Sequence, residues 1–188
     1  RYSEVEQVAF SSDGKKFASY EPRWNDLDIF DFDRCTGVFS NPIHINFTDS
    51  AYIGGVAFSP NSNVLYVAST SYVYQFDLTA PNVSATQTTV AVWDGYYSPQ
   101  WPFASTFRHA QLAPDGKIYI VCGNSTVDIH VINNPDSLGL GCDVCQHCVP
   151  LPAYNGFTIP NHPNYFLGAE DGSVCDSITN ISEGKNSD

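Results

Sequence analysis

One pattern occurs three times along this chain, and that recurrence restricts the fold more than any other feature. VAFSSDGKKFASY, VAFSPNSNVLYVAS and AQLAPDGKIYIVC each place an apolar residue before a small pair, an Asp- or Asn-containing turn and an alternating apolar run. Phe10, Phe58 and Leu112 correspond, a spacing of about 50 residues. A second apolar run follows in each unit: DIFDFD ending at Asp33, YVYQFDL around Phe76 and Asp77, and DIHVIN around Ile132. Ser11-Ser12-Asp13-Gly14 and Ala113-Pro114-Asp115-Gly116 carry turn chemistry, with Gly supplying positive φ and Asp bonding its own backbone, so the flanking runs read as hairpins. Asp33 to Gly37 is a further tight turn, feeding a short strand at Val38-Phe39-Ser40.

Three or four antiparallel strands per unit of this period is the signature of a β-propeller blade. The expected fold is therefore all-β, with about three four-stranded repeats, over residues 5–50, 51–104 and 105–150, forming a propeller region 1–150. Residues 151–188, rich in Pro and Asn at their start, break the pattern and are expected to form an irregular segment capping the last blade. Propellers close with about four to eight blades, and an open fan leaves apolar faces wet and sheet edges unpaired. The expectation is that further blades, or a second chain, complete the ring.

Charge and cysteine content narrow the setting. Eight Lys and Arg against 20 Asp and Glu give a formal charge of -12, a field that repels nucleic acid and anionic lipid. No apolar run approaches the roughly 18 residues of a spanning helix, so membrane insertion is not expected. The chain opens at Arg1 with no Met and no basic-then-apolar stretch, so any signal peptide lies outside it and the segment reads as part of a longer or processed precursor. Six Cys, at Cys35, Cys122, Cys142, Cys145, Cys148 and Cys175, suit an oxidising compartment. A secreted or cell-surface location is expected.

The segments DFDRCTG, GVAFSPNSNVLYV, YQFDL, AQLAPDGKIYI, INNPDSLGLGC and IPNHPNYFLG followed by GSVCDS, in order from Asp31 to Ser177, cover most of the chain. On them it resembles the C-terminal part of secreted propeller proteins of gliding-type bacteria that use type IX secretion. The resemblance implies an extracellular or surface location and no particular activity. The pair Cys145 and Cys148 departs from that family pattern.

Several constellations are candidates for chemistry. Cys142, Cys145 and Cys148 with His147 between them have the density of a zinc or iron-sulfur ligand set; disulfides are the competing reading, for instance Cys142 or Cys148 to Cys122, Cys35 or Cys175. Asp26, Asp28, Asp31 and Asp33 invite a calcium reading, but strand alternation puts the first two on one face and the last two on the other. They are expected to be solvated charges on an outer strand. Trp93, Asp94, Tyr96, Tyr97 and Trp101, between the second and third repeats, suit stacking on a sugar or anchoring a protein partner, with packing of the rings over the blade interface as the slightly favoured competing reading. His44, His109, His130, His147 and His162 are scattered, and no nucleophile-elbow, zincin or phosphate-loop motif occurs. His109, beside Arg108, could sit at a blade's inner mouth, as propeller active sites do, but is expected to be structural.

No catalytic residue and no cofactor is assigned. The leading expectation is a non-catalytic surface propeller for adhesion, glycan or protein binding. The alternatives are a fragment of a propeller hydrolase or lyase whose active-site blades lie elsewhere, and a structural repeat of an extracellular assembly. Asn46, Asn82, Asn124 and Asn180 head N-glycosylation sequons. Under the resemblance, Ser50, Ser137 and Ser177, each after Asp, are O-glycosylation candidates.

Overall fold

A computed structural model describes residues 7–46, 48, 49, 51–99, 101–123, 125–160, 164, 167, 168, 172, 173 and 175. It contains three four-stranded antiparallel sheets, each built from four strands consecutive in the chain. The first holds β1 (Gln7–Phe10), β2 (Lys16–Glu21), β3 (Asp26–Phe32) and β4 (Phe39–Asn46). The second holds β5 (Gly54–Phe58), β6 (Val64–Ser69), β7 (Tyr72–Asp77) and β8 (Thr88–Val92), and the third β9 (Phe107–Leu112), β10 (Ile118–Cys122), β11 (Thr126–Ile132) and β12 (Val144–Asn155). The three repeats are thus three consecutive blades, and β1, β5 and β9 are their inner strands.

The turn chemistry repeats with the blades. Ser11 Oγ donates to Asp13 Oδ1 at 2.6 Å and accepts from Lys16 N at 2.9 Å. Ser59 does the same with Asn61 (2.7 Å) and Val64 N (3.1 Å). Ala113 lacks the hydroxyl, and there the turn rests on Gly116 N to Ala113 O at 3.0 Å and Lys117 N to Asp115 Oδ1 at 3.1 Å. Side-chain oxygens here stand in for backbone partners that a two-strand turn leaves open.

Packing follows strand alternation. Ala18, Tyr20, Leu27, Ile29 and Ile45 of the first blade meet Val56, Phe58, Leu65, Val67, Tyr74 and Phe76 of the second. The second blade's opposite face, with Val64, Tyr66, Val73 and Val90, meets Phe107, Ala110, Ile118, Ile120 and Ile132 of the third. Buried on both sides, β5 and β6 have no exposed residue, which is why VLYVAS reads as a continuous apolar run. Truncating Leu65, fully buried at this seam, would cost about 2–5 kcal/mol.

The first blade's other face carries a phenylalanine cluster at the end nearest the β1–β2 turn. Phe10, Phe17, Phe30, Phe32 and Phe39 form a network with neighbouring ring centroids 4.9 to 6.4 Å apart. Phe10 remains 52% exposed and Phe39 47%.

Three expectations need correction. β12 runs on to Asn155, past the expected boundary at 150, because its pairing with β11 extends to Thr126–Asn155. β4 is eight residues long, not a short Val38-to-Ser40 strand. The described C-terminal residues divide: Phe157 lies over Arg108 of the last blade, whereas residues from 164 onward meet the first. Asn164 Nδ2 donates to Ser12 O at 2.7 Å, Arg34 donates to Gly168 O, and Cys35 is disulfide-bonded to Cys175. Gly14 makes room for this return: at φ +68° it closes the β1–β2 turn, and a Cβ there would lie 2.9 Å from Leu167 Cδ2.

Candidate functional site

The aromatic segment leaves β8 at Val92 and crosses to the inner strand β9, above the seam between the second and third blades. It is a folded loop. Ser98 N donates to Phe103 O at 2.8 Å, Ser105 N to Tyr96 O at 3.0 Å, and Tyr97 bridges Ala104. The peptide bonds before Pro99 and Pro102 are cis. Ser98 Oγ is anchored on Asp128 of β11 and accepts from Val127 N at 3.3 Å.

The loop docks on a bulge in β12. Val131 pairs with Cys145 but Ile129 with Val149, so Gln146, His147 and Cys148 loop out, stapled by a Cys145–Cys148 disulfide. His147, at φ +43°, projects its ring toward the aromatic segment. Its Nε2 lies 2.8 Å from Asp94 Oδ2, and Tyr96 stacks on it with centroids 4.1 Å apart. Gln146 completes the joint, donating to Val92 O at 2.8 Å and accepting from Asp94 N at 3.3 Å. Burial works against the Asp94 carboxylate, but the N–H groups of His147 and Tyr96 outweigh it and hold its pKa below the usual range.

Beneath the bulge lies a second histidine. His147 N donates to His130 Nδ1 at 3.0 Å, which puts the His130 proton on Nε2, 3.3 Å from Cys122 Sγ. The thiol donates to Asp128 O at 3.2 Å. Burial pushes the His130 pKa down to about 4 and the Cys122 thiol up to about 11. At neutral pH both are uncharged, so this pair is a packed support for the bulge and supplies no thiolate nucleophile.

The predicted aromatic residues divide by role. Trp93 is half-buried against the second seam and meets Tyr97 edge-on at 5.8 Å, whereas Tyr96 is exposed and Trp101 is 77% exposed. Asp94 orients His147 and through it Tyr96. Sequence reasoning brought these rings together but missed Gln146, His130 and the aromatic partnership of His147, because the bulge that aims them is a register change with no local signature.

Other candidates resolve differently. The Cys142, Cys145, His147 and Cys148 metal set does not form: Cys145 and Cys148 bond each other, Cys142 is a buried free thiol, and among the described residues no group of three ligands gathers. The expected disulfides of Cys142 and Cys148 to distant partners are likewise replaced by Cys35–Cys175 and Cys145–Cys148, and Cys122 is free. The acidic run lies on β3, an interior strand, not an outer one. Its charges are met across the sheet: Asp26 by Asn46 (2.8 Å), Asp28 by His44 (2.8 Å) and Asp31 by Lys16 (2.9 Å) and Asn41 (2.8 Å). Asp33 lies beyond the strand and caps its turn, accepting from Cys35 N and Thr36 N. Of the modification candidates, Ser137 and Asn82 are exposed, and Asn46 is exposed with its amide bonded to Asp26. Ser50, Ser177, Asn124 and Asn180 lie outside the described residues, as does His162.

No family model matches the chain, and no curated protein does. Solved structures do. A candidate 6-phosphogluconolactonase from Bacteroides fragilis superposes with a TM-score of 0.54 at 18% identity, over 78% of this chain and 39% of its own. One from Bacteroides uniformis gives 0.53 at 17%, over 78% and 40%. A Lactobacillus plantarum protein gives 0.51 at 17%, over 78% and 42%. The fold is that of a β-propeller. This chain spans about two-fifths of the length of the propellers it matches, so its three blades correspond to a sector of such a ring.

Proposed function

We propose that this propeller sector belongs to a non-catalytic extracellular or cell-surface protein that binds a glycan or protein partner through the aromatic rim. The observation that carries the reading is the pairing of an exposed, pre-positioned Tyr96 with an exposed Trp101 on one anchored loop. Flat rings fixed before binding lose little entropy on association and suit stacking against a pyranose or an apolar anchor. The two disulfides agree with an oxidising setting, and export by a type IX route follows from the resemblance of the sequence segments. The phenylalanine face of the first blade supports docking of a further blade, from the same polypeptide or a second chain, since apolar sheet faces of this kind are covered in closed propellers.

The test is a glycan array and a surface-protein capture assay with the wild type and the variants Tyr96→Ala and Trp101→Ala. Binding that falls at least tenfold in both variants supports the reading. Binding that both variants retain, or no binding by the wild type, removes it. Intact mass of native material tests for O-glycosylation, for which Ser137 is the exposed candidate.

A further inference from the structure

Arg108 and His109 sit on β9 at a place where the repeat does not call for them. In the second blade, Gly55 alone stands opposite Ala68. In the third, Ala110 pairs with Ile120 and Phe107 with Cys122, so Arg108 and His109 together oppose Val121 as a bulge. Bulges re-aim side chains and gather beside functional sites. This one is braced from the neighbouring inner strand: a Cβ at Gly55 would fall 2.6 Å from both Arg108 O and His109 Cα, so only glycine permits the approach.

Arg108 is 9% exposed as a residue, and its Nε is buried. Its Nε has no hydrogen-bond partner, and no ion pair reaches it among the described residues, although the chain carries 20 acidic side chains. Burial alone acts on it, lowering its pKa, with no carboxylate contributing. An unpaired buried cation is a net cost to the fold. What covers it is Phe157, whose ring lies 4.0 Å from the guanidinium carbon and whose backbone offsets part of the burial that lowers the His109 pKa. Phe157 is itself 46% exposed and held at φ +90°, a conformation that aromatic residues rarely adopt. The ring shields one face of the guanidinium, while the buried Nε is left without an acceptor among the described residues.

We propose that Arg108 and His109 form a binding site for the oxyanion, carboxylate or phosphate, of a small acidic ligand, with Phe157 as its displaceable cover. The guanidinium fork matches a two-oxygen anion, and the neighbouring His109 ring adds a donor. In the absence of ligand, the unpaired cation and the constrained Phe157 store the cost that binding relieves. The site lies on an inner strand, shares no residue with the aromatic rim, and does not rest on the function proposed above.

The experiment uses the full chain at constant ionic strength, with inorganic phosphate and galacturonate as the two probes, read by ligand-observed NMR and thermal melting. Binding of either probe by the wild type and by Trp101→Ala, weakened at least tenfold in Arg108→Gln and several-fold in Arg108→Lys, establishes the site and shows which oxyanion it prefers. Arg108→Gln without ligand is expected to melt no lower than the wild type. Equal responses in wild type and Arg108→Gln, or no response to either probe, overturn the proposal. So does an Arg108→Gln variant that loses stability while both probes are silent, since the cation then has a protein counter-ion in another blade.

Discussion

Gln7, on the inner strand of the first blade, donates from Nε2 to the carbonyl of Ala110, on the inner strand of the third, at 2.6 Å. Its Oε1 accepts from Ala110 N at 2.9 Å and from Val56 N, on the second blade, at 3.2 Å. One side-chain amide therefore satisfies backbone groups on the inner edge strands, beyond which no strand pairs, and it joins all three sheets where they converge.

Replacing Gln7 with Ala leaves Val56 N, Ala110 N and Ala110 O without this partner. The expected loss is about 1–3 kcal/mol, read as a lower urea midpoint with unchanged slope. Gln7→Glu keeps the acceptor but sets a carboxylate against Ala110 O, and is expected to be no better than Ala.

The two disulfides close loops of very different length. Cys35–Cys175 has a sequence separation of 140, and Cys145–Cys148 one of 3. Chain entropy then assigns about 5 kcal/mol to the first and about 2 kcal/mol to the second. Denaturant curves of Cys35→Ser/Cys175→Ser and Cys145→Ser/Cys148→Ser double variants should rank in that order. The reverse ranking contradicts the closure argument.

His130 gives the fold an acid sensitivity of known sign. Its folded-state pKa of about 4 lies below the unfolded value of about 6.5, so protonation favours the unfolded chain. Its contribution is full above the unfolded pKa and falls as pH drops toward 4, by about 3 kcal/mol in total. In urea titrations at pH 7 and pH 4.5, the stability gap between wild type and His130→Gln, which retains an acceptor for His147 N, should shrink at the lower pH. A constant gap would falsify the assignment of a neutral buried imidazole.

The two loop tryptophans should separate. Trp101→Ala, at an exposed site, is expected to change stability by less than about 0.5 kcal/mol. Trp93→Ala opens the second seam and is expected to cost about 2 kcal/mol or more. Thermal melts of the two variants decide this directly.

The blades were readable from sequence because their determinants are local. Ser11 with Asp13, and Ser59 with Asn61, fix each hairpin within a few residues, and the apolar alternation on β2 and β6 sets which face is buried. Gln7, Arg108 and the partner of Cys35 were not readable, since each depends on residues more than 40 positions away or on a bulge. From sequence alone the strand bearing Asp26, Asp28 and Asp31 reads as an outer one, because acidic residues commonly guard an edge. It lies inside because His44, Lys16, Asn41 and Asn46 answer each charge from the adjoining strands.

Stacked repeats ordinarily lose their terminal units first, each end fraying without reference to the other. The bond from Cys35 to Cys175 removes that independence, because the first blade and the segment after the last one share a covalent fate. Local opening at either end must then work against both, so amide exchange in β1–β4 is expected to slow toward the global rate in the oxidised protein and to separate from it on reduction. A linear array is thereby given the cooperativity of a ring.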